Sequence, residues 1–330
     1  MIPRRNFLIA LGAGALAAPF ASFAQQQPAG RVYRIGVLET TSMNLNTANF
    51  DAFRKGLREL GYAEGQNLVF EYRSAEGRGE RFPDLAAELV RLRVDLIVTR
   101  GTPALLAASK ATGTIPIVMA AIGEPPGQGI VVSLAHPGGN VTGLSAFVSE
   151  LTGKRIELLG ELVAKLTRVA TLLNMGNPIF LAQWQETQLA ARSLGIRAQL
   201  LDVRKPEELG RAFDSAIKQR ADGLVVGIDA LTQANRQLIA ELASKHRLPA
   251  IYASKEFVDA GGLVSYGVSY PDLYYRAASL VNKIFRGAKP GDLPVEQPTK
   301  YELVINMKTA KALGIKISQS ILLRTDKVIE

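Results

Sequence analysis

Hydroxyl side chains stand directly after the first apolar segment of strand character. Thr40, Thr41 and Ser42 follow the segment Tyr33–Leu38. A hydroxyl group both donates and accepts hydrogen bonds, so a cluster of three can hold a small polar molecule. The same residue types also form tight turns. We therefore predict ligand-binding hydroxyls at this position, with turn formation as the alternative.

A second group suited to anions begins a predicted helix. Gly101 and Thr102 follow the strand-like segment Asp95–Thr99, and Pro103 comes next. A hydroxyl residue followed by proline is typical of a helix start. The free N–H groups and the dipole of a helix N terminus favour a carboxylate or another anion. Capping of the helix without any ligand is the alternative.

Two carboxylates are placed where they could hold an amino group. Asp229 follows the apolar segment Asp222–Val226, and Glu124 follows the segment Ile115–Met119. Asp229 could instead cap the next helix, and Glu124 could be a solvated loop charge. Anion-binding loops opposite a carboxylate fit an amino acid, and they fit other small carboxylates almost as well.

Four further residues complete the candidate binding site. Asn174 and Ser254 follow strand-like segments, whereas Phe147 and Tyr266 lie on segments that we expect to cross between two lobes. The aromatic rings could stack on a flat ligand, or they could only pack at a hinge. Asn174 could bind the ligand or only its own turn.

The composition argues against several kinds of catalysis. The chain has no cysteine and two histidines, which excludes disulfides, thiolate metal sites and a cysteine nucleophile. Neither a Gly-x-Ser-x-Gly motif nor metal-ligand spacing occurs, and no Gly-x-Gly-x-x-Gly follows the first strand. We expect a protein that is not an enzyme and needs no metal or cofactor. A carboxylate-based exported α/β hydrolase is the remaining enzymatic alternative.

The charge distribution bears on possible partners. The net charge is +9 with 21% charged residues, but no basic run carries interleaved aromatic residues. A nucleic-acid-binding face is therefore not expected. We expect a monomeric protein that binds a small molecule.

The same order of strands and helices occurs twice in the chain. The first copy runs from Tyr33 to Met119 and the second from Arg168 to Ile251. Strands such as Leu96–Val98 are apolar on both faces, which is typical of parallel sheets covered by helices. We predict two similar α/β lobes with a ligand-binding cleft between them. Ligands of such sheets bind beyond the carboxyl ends of the strands, where the candidate residues lie.

The N terminus has the layout of an export signal. Arg4 and Arg5 precede the apolar segment Phe7–Phe20, and small residues end at Ala24. The arginine pair also resembles a twin-arginine signal, although the ordinary secretory route stays open. We expect cleavage after Ala24 and a periplasmic protein. It cannot be a lipoprotein, because no cysteine is present to carry the lipid.

The turn cluster His136–Asn140 marks the main boundary between the lobes. The strand-like segment Val141–Ser145, which follows this cluster, is predicted to be the first crossing between the lobes. We expect an export signal at 1–24 and a flexible leader at 25–30. Lobe 1 would comprise 31–145 with about 270–298, and lobe 2 would comprise 146–269 with about 299–330. The tail of the chain thus returns to the first lobe and crosses back, and such crossings form a hinge.

Six segments of the chain together carry a resemblance to one known family: Gly138–Ser145, Lys154–Leu159, Leu248–Tyr252, Gly261–Gly267, Leu293–Pro298 and Ile305–Gly314. They resemble the solute-binding-protein family of ABC transporters that includes tryptophan- and tyrosine-binding members. The resemblance covers about residues 31–330. It implies the type I periplasmic binding protein fold, in which two Rossmann-like lobes joined by a hinge close on a ligand. It also implies delivery of the ligand to a membrane permease.

The expected function is therefore capture of a small organic ligand for an ABC importer. The ligand would be an amino acid, which can be an aromatic one as in the named family members, or another small carboxylate. An extracytoplasmic sensor that presents its ligand to a signalling receptor is the main alternative. The chain alone does not separate transport from sensing.

Overall fold

The computed structural model describes residues 30–123, 129–146 and 151–330. The predicted export signal and Gln25–Ala29 of the leader lie outside the described residues, as do the candidate site residues Glu124 and Phe147. Residues 32–330 belong to one compact unit. No helix in the described part is long and apolar enough to cross a membrane.

Five parallel strands form the sheet of the first lobe, in the order β2-β1-β3-β4-β5. They are β1 Tyr33–Glu39, β2 Leu68–Ser74, β3 Leu96–Arg100, β4 Ile117–Ile122 and β5 Val141–Ser145. Strands β3, β4 and β5 are buried along their whole length, because helices cover both faces of the sheet. The predicted parallel α/β architecture is confirmed.

The second lobe contains a seven-stranded sheet in the order β12-β11-β10-β9-β8-β6-β7. Its strands are β6 Arg168–Leu173, β7 Arg197–Asp202, β8 Gly223–Val226, β9 Ala250–Tyr252, β10 Val264–Val268, β11 Tyr301–Asn306 and β12 Lys327–Ile329. β11 runs antiparallel to β10, and the other strand pairs are parallel.

The helices alternate with these strands along the chain. They are α1 Thr47–Glu59, α2 Phe82–Arg91, α3 Thr102–Ala111, α4 Leu151–Leu162, α5 Ile179–Ser193, α6 Leu209–Lys218, α7 Ala230–Ala234, α8 Arg236–Lys245, α9 Lys255–Asp259, α10 Tyr270–Phe285, α11 Met307–Leu313 and α12 Gln319–Leu322. The buried faces of the helices form two apolar cores in each lobe, one on either side of its sheet.

Helix α10 belongs to the packing of the first lobe although it follows β10 in sequence. It lies against α1, where a Cβ atom on Gly56 would come within 2.7 Å of the carbonyl oxygen of Tyr275. Glycine is therefore required at this helix crossing. The chain reaches the second lobe after Ser145, returns to the first between β10 and α10, and crosses again before β11.

One detail differs from the sequence-based expectation. The segment Val141–Ser145 was expected to cross between the lobes, but it pairs with β4 as the edge strand of the first sheet. The later segment around Glu296 lies beside it, since the N–H of Ser145 donates to the carbonyl of Glu296 at 2.9 Å. The segments around Ser145 and Glu296 thus run next to each other at this edge of the first sheet.

Candidate functional site

A cavity opens between the lobes at the carboxyl ends of their strands. It encloses about 560 Å³, including the space at its mouth. The cavity is lined by Thr40, Phe82, Arg100, Gly101, Thr102, Pro103, Ala121, Ile122, Gly123, Ala146, Asn177, Ile179, Phe180, Gln183, Ile228, Asp229, Ala230, Gln233 and Tyr270.

One wall of the cavity carries groups whose chemistry suits an anion. Gly101 has a φ of +83°, a conformation that favours glycine, and it turns the chain from β3 into α3. Thr102 is the first residue of this helix, and the N terminus of α3 borders the cavity. The nearby hydroxyl of Thr40 is buried and has no hydrogen-bond partner among the described residues. A bound carboxylate could accept hydrogen bonds from the N–H groups at the start of α3 and from the hydroxyl of Thr40.

The opposite wall carries Asp229. Its carboxylate accepts a hydrogen bond from the N–H of Thr232 at 2.9 Å and thereby caps α7. The other carboxylate oxygen accepts a bond from the Asn174 amide at 2.8 Å. Burial raises the pKa of Asp229, although these hydrogen bonds oppose the rise. Asp229 therefore caps α7 and also lines the cavity. Its carboxylate oxygens can each accept a further hydrogen bond, for example from an ammonium group of a ligand.

The remaining described candidates do not line the cavity. Asn174 donates a hydrogen bond to Asp229, and Ser254 directly precedes α9 and lies 3.5 Å from the amide of Gln233. The ring of Tyr266 lies against Tyr301, with ring centres 6.3 Å apart. The other two are Thr41, whose carbonyl accepts a bond from Tyr72, and Ser42, which precedes a short 3₁₀ helix.

Sequence reasoning missed the apolar part of the cavity. Phe82 of α2 and the pair Ile179 and Phe180 of α5 supply large buried side chains, and Tyr270 adds a ring at the start of α10. These residues begin helices and do not end strands, so the rule that located Thr40 and Asp229 could not find them. These apolar side chains form cavity walls that suit a flat or hydrophobic part of a ligand.

Two glutamines of the second lobe were also missed. Gln183 is 0% exposed, and neither atom of its amide has a hydrogen-bond partner among the described residues. Gln233 is buried as well, and its amide oxygen is unpaired in the same part of the molecule. The signal in the sequence was the spacing of Ile179, Gln183 and Thr187, which places polar residues on the buried face of α5.

A buried charged cluster lies beside the cavity. Arg100 stacks over the ring of Tyr270 at 4.4 Å and donates to the Asn46 side chain at 3.2 Å. Its Nη2 lies 3.7 Å from Oε1 of Glu256, which belongs to the second lobe. Burial alone would raise the pKa of Glu256, but the guanidinium of Arg100 and several hydrogen bonds outweigh burial and lower it. The charges therefore attract each other across the lobes.

Glu39 is a second buried carboxylate near Arg100. It lies at the end of β1 and accepts a hydrogen bond from the hydroxyl of Tyr274. Burial raises the pKa of Glu39, and the positive charge of Arg100 opposes this rise. Arg100 therefore offsets buried negative charge on its own lobe as well as on the other.

Direct contacts show that the two lobes are closed on each other. The Asn49 amide of α1 donates to Glu256 at 3.4 Å, and the guanidinium of Arg236 donates to the carbonyl of Leu45 at 3.2 Å. Gly123 packs so closely on Ile179 that a Cβ atom would lie 2.8 Å from the isoleucine side chain. Closure thus depends on the small size of residue 123.

We expect Gly123→Ala to lower ligand affinity without lowering the stability of the open, ligand-free protein. The added methyl group meets Ile179 only when the lobes close. The cost is about 1–3 kcal/mol, as for other overpacked contacts. Gly113→Ala is the matched control, because nothing lies within 4 Å of a Cβ at that position. Equal ligand affinities of the two variants in titration calorimetry would contradict the closure argument.

No cluster of histidine, cysteine, aspartate or glutamate that could hold a metal ion occurs among the described residues. The polar groups of the cavity are instead hydroxyls, amides, one carboxylate and one guanidinium. These groups bind organic molecules through hydrogen bonds and charge.

Comparison with known proteins decides the family. Residues 34–329 match the family model described as ABC transporter substrate binding protein. This chain belongs to that family. The members are substrate-binding proteins and not enzymes, which confirms the prediction that the chain is not an enzyme. The type I periplasmic binding protein fold is confirmed by likeness to solved proteins of that fold.

Individual relatives agree with this assignment. A tyrosine-binding protein of Clostridioides difficile is 29% identical over 264 residues, which cover 80% of this chain and 76% of the relative. The structure of an ABC domain in complex with L-Trp from Streptococcus pneumoniae is 28% identical, with a TM-score of 0.83. The match covers 90% of this substrate-binding protein and 100% of that chain.

A third relative bears on the closed arrangement. The ligand-free, open structure of a substrate-binding protein with adhesive properties from Clostridium difficile is 26% identical and has a TM-score of 0.65. The match covers 90% of this chain and 99% of that one. The higher TM-score against the L-Trp complex agrees with the contacts between the lobes described above.

Proposed function

We propose that this substrate-binding protein captures an amino acid with an aromatic side chain in the cavity between its lobes. The observation that supports this proposal most is that one wall of the cavity suits a negatively charged group and the facing wall suits a positively charged one. The N terminus of α3 and the hydroxyl of Thr40 suit a carboxylate, and the carboxylate of Asp229 suits an ammonium group. An α-amino acid carries both groups on one carbon.

The apolar walls support the aromatic side chain. Phe82, Ile179 and Phe180 are buried and contribute to the same cavity as Asp229. Burying an aromatic side chain among such residues is strongly favourable, and ring-to-ring contacts add to it. Two relatives agree with this choice. One is named as a tyrosine-binding protein, and the structure of the other contains L-Trp.

Closure of the lobes would complete the site. A ligand favours the closed state only through contacts that it makes better there. In this protein, Thr102 lies on one lobe and Asp229 on the other, so a molecule that contacts both draws the lobes together. The contact between Arg100 and Glu256 adds an attraction that does not need the ligand.

The biological role that we propose is delivery of the amino acid to an ABC importer. The N-terminal sequence predicts export, which would place a monomer in the periplasm where it meets the permease. Uptake of labelled tyrosine by cells with and without this gene tests the role. Unchanged uptake, with binding intact, would favour a sensor that presents its ligand to a signalling receptor.

Binding itself is expected to appear in a thermal-shift screen of the purified protein. Aromatic amino acids should raise the unfolding temperature, because a ligand that binds only the native state stabilises it by about 2.7 kcal/mol at a hundred times Kd. Leucine, aspartate and lysine serve as controls of different side-chain chemistry. A larger shift from any of these controls than from every aromatic amino acid would contradict the proposed ligand class.

A further inference from the structure

The amide of Gln183 is a buried polar group that lines the cavity and has no hydrogen-bond partner among the described residues. Its neighbours on the wall include Ile179 and Phe180 of the same helix. Neither Oε1 nor Nε2 forms a hydrogen bond with any described residue. Buried amides are nearly always hydrogen-bonded, because an unpaired one loses its bonds to water without replacement.

The other glutamine of the cavity is more fully engaged. The Nε2 atom of Gln233 lies 3.5 Å from the hydroxyl of Ser254, which leaves only its Oε1 unpaired. Gln183 lacks even this contact, and its backbone carbonyl is used by Thr187 within the helix. A packing role does not require an amide at position 183, since an aliphatic side chain would fill the same space.

We propose that Gln183 is a specificity-determining residue that binds a polar group on the side chain of the ligand. This inference rests on the proposed function, because it assumes an aromatic amino acid in the cavity. The groups suited to its carboxylate and ammonium lie elsewhere, at α3 and Asp229. The amide on the apolar wall therefore serves the remaining part of the ligand.

The chemistry of an amide defines which side chains it prefers. An amide offers both donors and an acceptor, and a phenol hydroxyl both donates and accepts. An indole N–H donates only, and a phenyl ring does neither. A site that contains a buried polar group discriminates strongly against ligands that leave this group unpaired. The expected order of affinity is thus tyrosine, then tryptophan, then phenylalanine for rings that the cavity accommodates.

The test is calorimetric titration of the wild-type protein, Gln183→Leu and Gln185→Leu with L-tyrosine and L-phenylalanine. Gln185 lies on the exposed face of the same helix and is the matched control. The wild type and Gln185→Leu should prefer tyrosine by about 10- to 100-fold, which reflects an unpaired buried amide in the phenylalanine complex. Gln183→Leu should abolish or invert this preference.

Thermal unfolding of the ligand-free variants provides a second measurement. Because the amide of Gln183 bonds to no described residue, Gln183→Leu should leave the unfolding temperature unchanged or raise it. A strong fall together with an unchanged preference for tyrosine would show that Gln183 has a structural role, and would overturn the inference.

The outcomes separate this inference from the proposed function. If the wild type binds phenylalanine as tightly as tyrosine, the role of Gln183 is wrong while amino-acid binding stands. If the wild type binds neither of these amino acids nor L-tryptophan, the proposed function fails, and the inference fails with it. If both variants keep the wild-type preference, the selectivity arises from other residues and the inference is again wrong.

Discussion

Asp229→Asn is expected to lower the affinity for every amino acid ligand by about thirtyfold to several thousandfold. This range corresponds to the 2–5 kcal/mol typical of truncating one member of a buried, hydrogen-bonded charge pair. Asparagine keeps the shape of the side chain and caps helices as well as aspartate does, so α7 should stay intact. Titration calorimetry measures the affinity, and thermal unfolding checks the fold.

The choice of asparagine matters because Asp229 has two roles. Removing the side chain altogether would also remove the cap of α7, which asparagine can keep, and this would cost about 0.5–2 kcal/mol of stability. Asp214→Asn is the matched control, since the side chain of Asp214 is 74% exposed in the same lobe. Equal affinities of both variants and the wild type would remove Asp229 from the ligand site.

Arg100→Met is expected to lower the free energy of unfolding of the ligand-free protein by about 3–5 kcal/mol, which is typical of removing one partner from a buried charged cluster. Methionine fills much of the space but offers no charge. The buried carboxylate of Glu39 would lose its positive neighbour, and Tyr270 would lose the guanidinium stacked on its ring. Urea denaturation at neutral pH measures the change.

Arg81→Met is the matched control for this prediction. Arg81 pairs with Glu76 at 3.0 Å, but both side chains are exposed at the surface of the same lobe. Such pairs contribute about 0–1 kcal/mol. If the two variants lose the same small amount of stability, the cluster around Arg100 does not stabilise the fold as its burial indicates.

Much of the fold could be predicted because it depends on local patterns. Strands such as β3 are apolar on both faces, which is typical of parallel sheets covered by helices on both sides. The duplicated order of elements then predicted two lobes and a cleft. The edge position of β5 was missed, because its sequence does not show whether a strand pairs with a sheet or leaves it.

The polar ends of the site followed from the same reasoning. Thr40, Thr102 and Asp229 stand at or shortly after the ends of strands, and the carboxyl ends of parallel strands meet at one edge of a sheet. Proximity along the chain was not sufficient, however. Ser42 also follows the end of a strand, and Tyr266 lies on β10, yet neither residue lines the cavity.

The apolar end could not be predicted from local patterns. Phe82 and Gln183 lie on helices of different lobes, and they share a cavity only because the lobes close on each other. Such a contact depends on tertiary packing over about a hundred residues of chain. For Gln183 the sequence did contain a hint, since a polar residue on the apolar face of a helix needs a reason.

The central claim is that an aromatic amino acid binds between the lobes, and calorimetric titration of the wild-type protein with L-tyrosine tests it most directly. The protein should first be unfolded and refolded to remove any ligand that co-purifies. Saturable binding at one site per chain is expected, strongly weakened in Asp229→Asn and kept in Asp214→Asn. Absence of binding by the refolded protein, for tyrosine and for tryptophan alike, would contradict it.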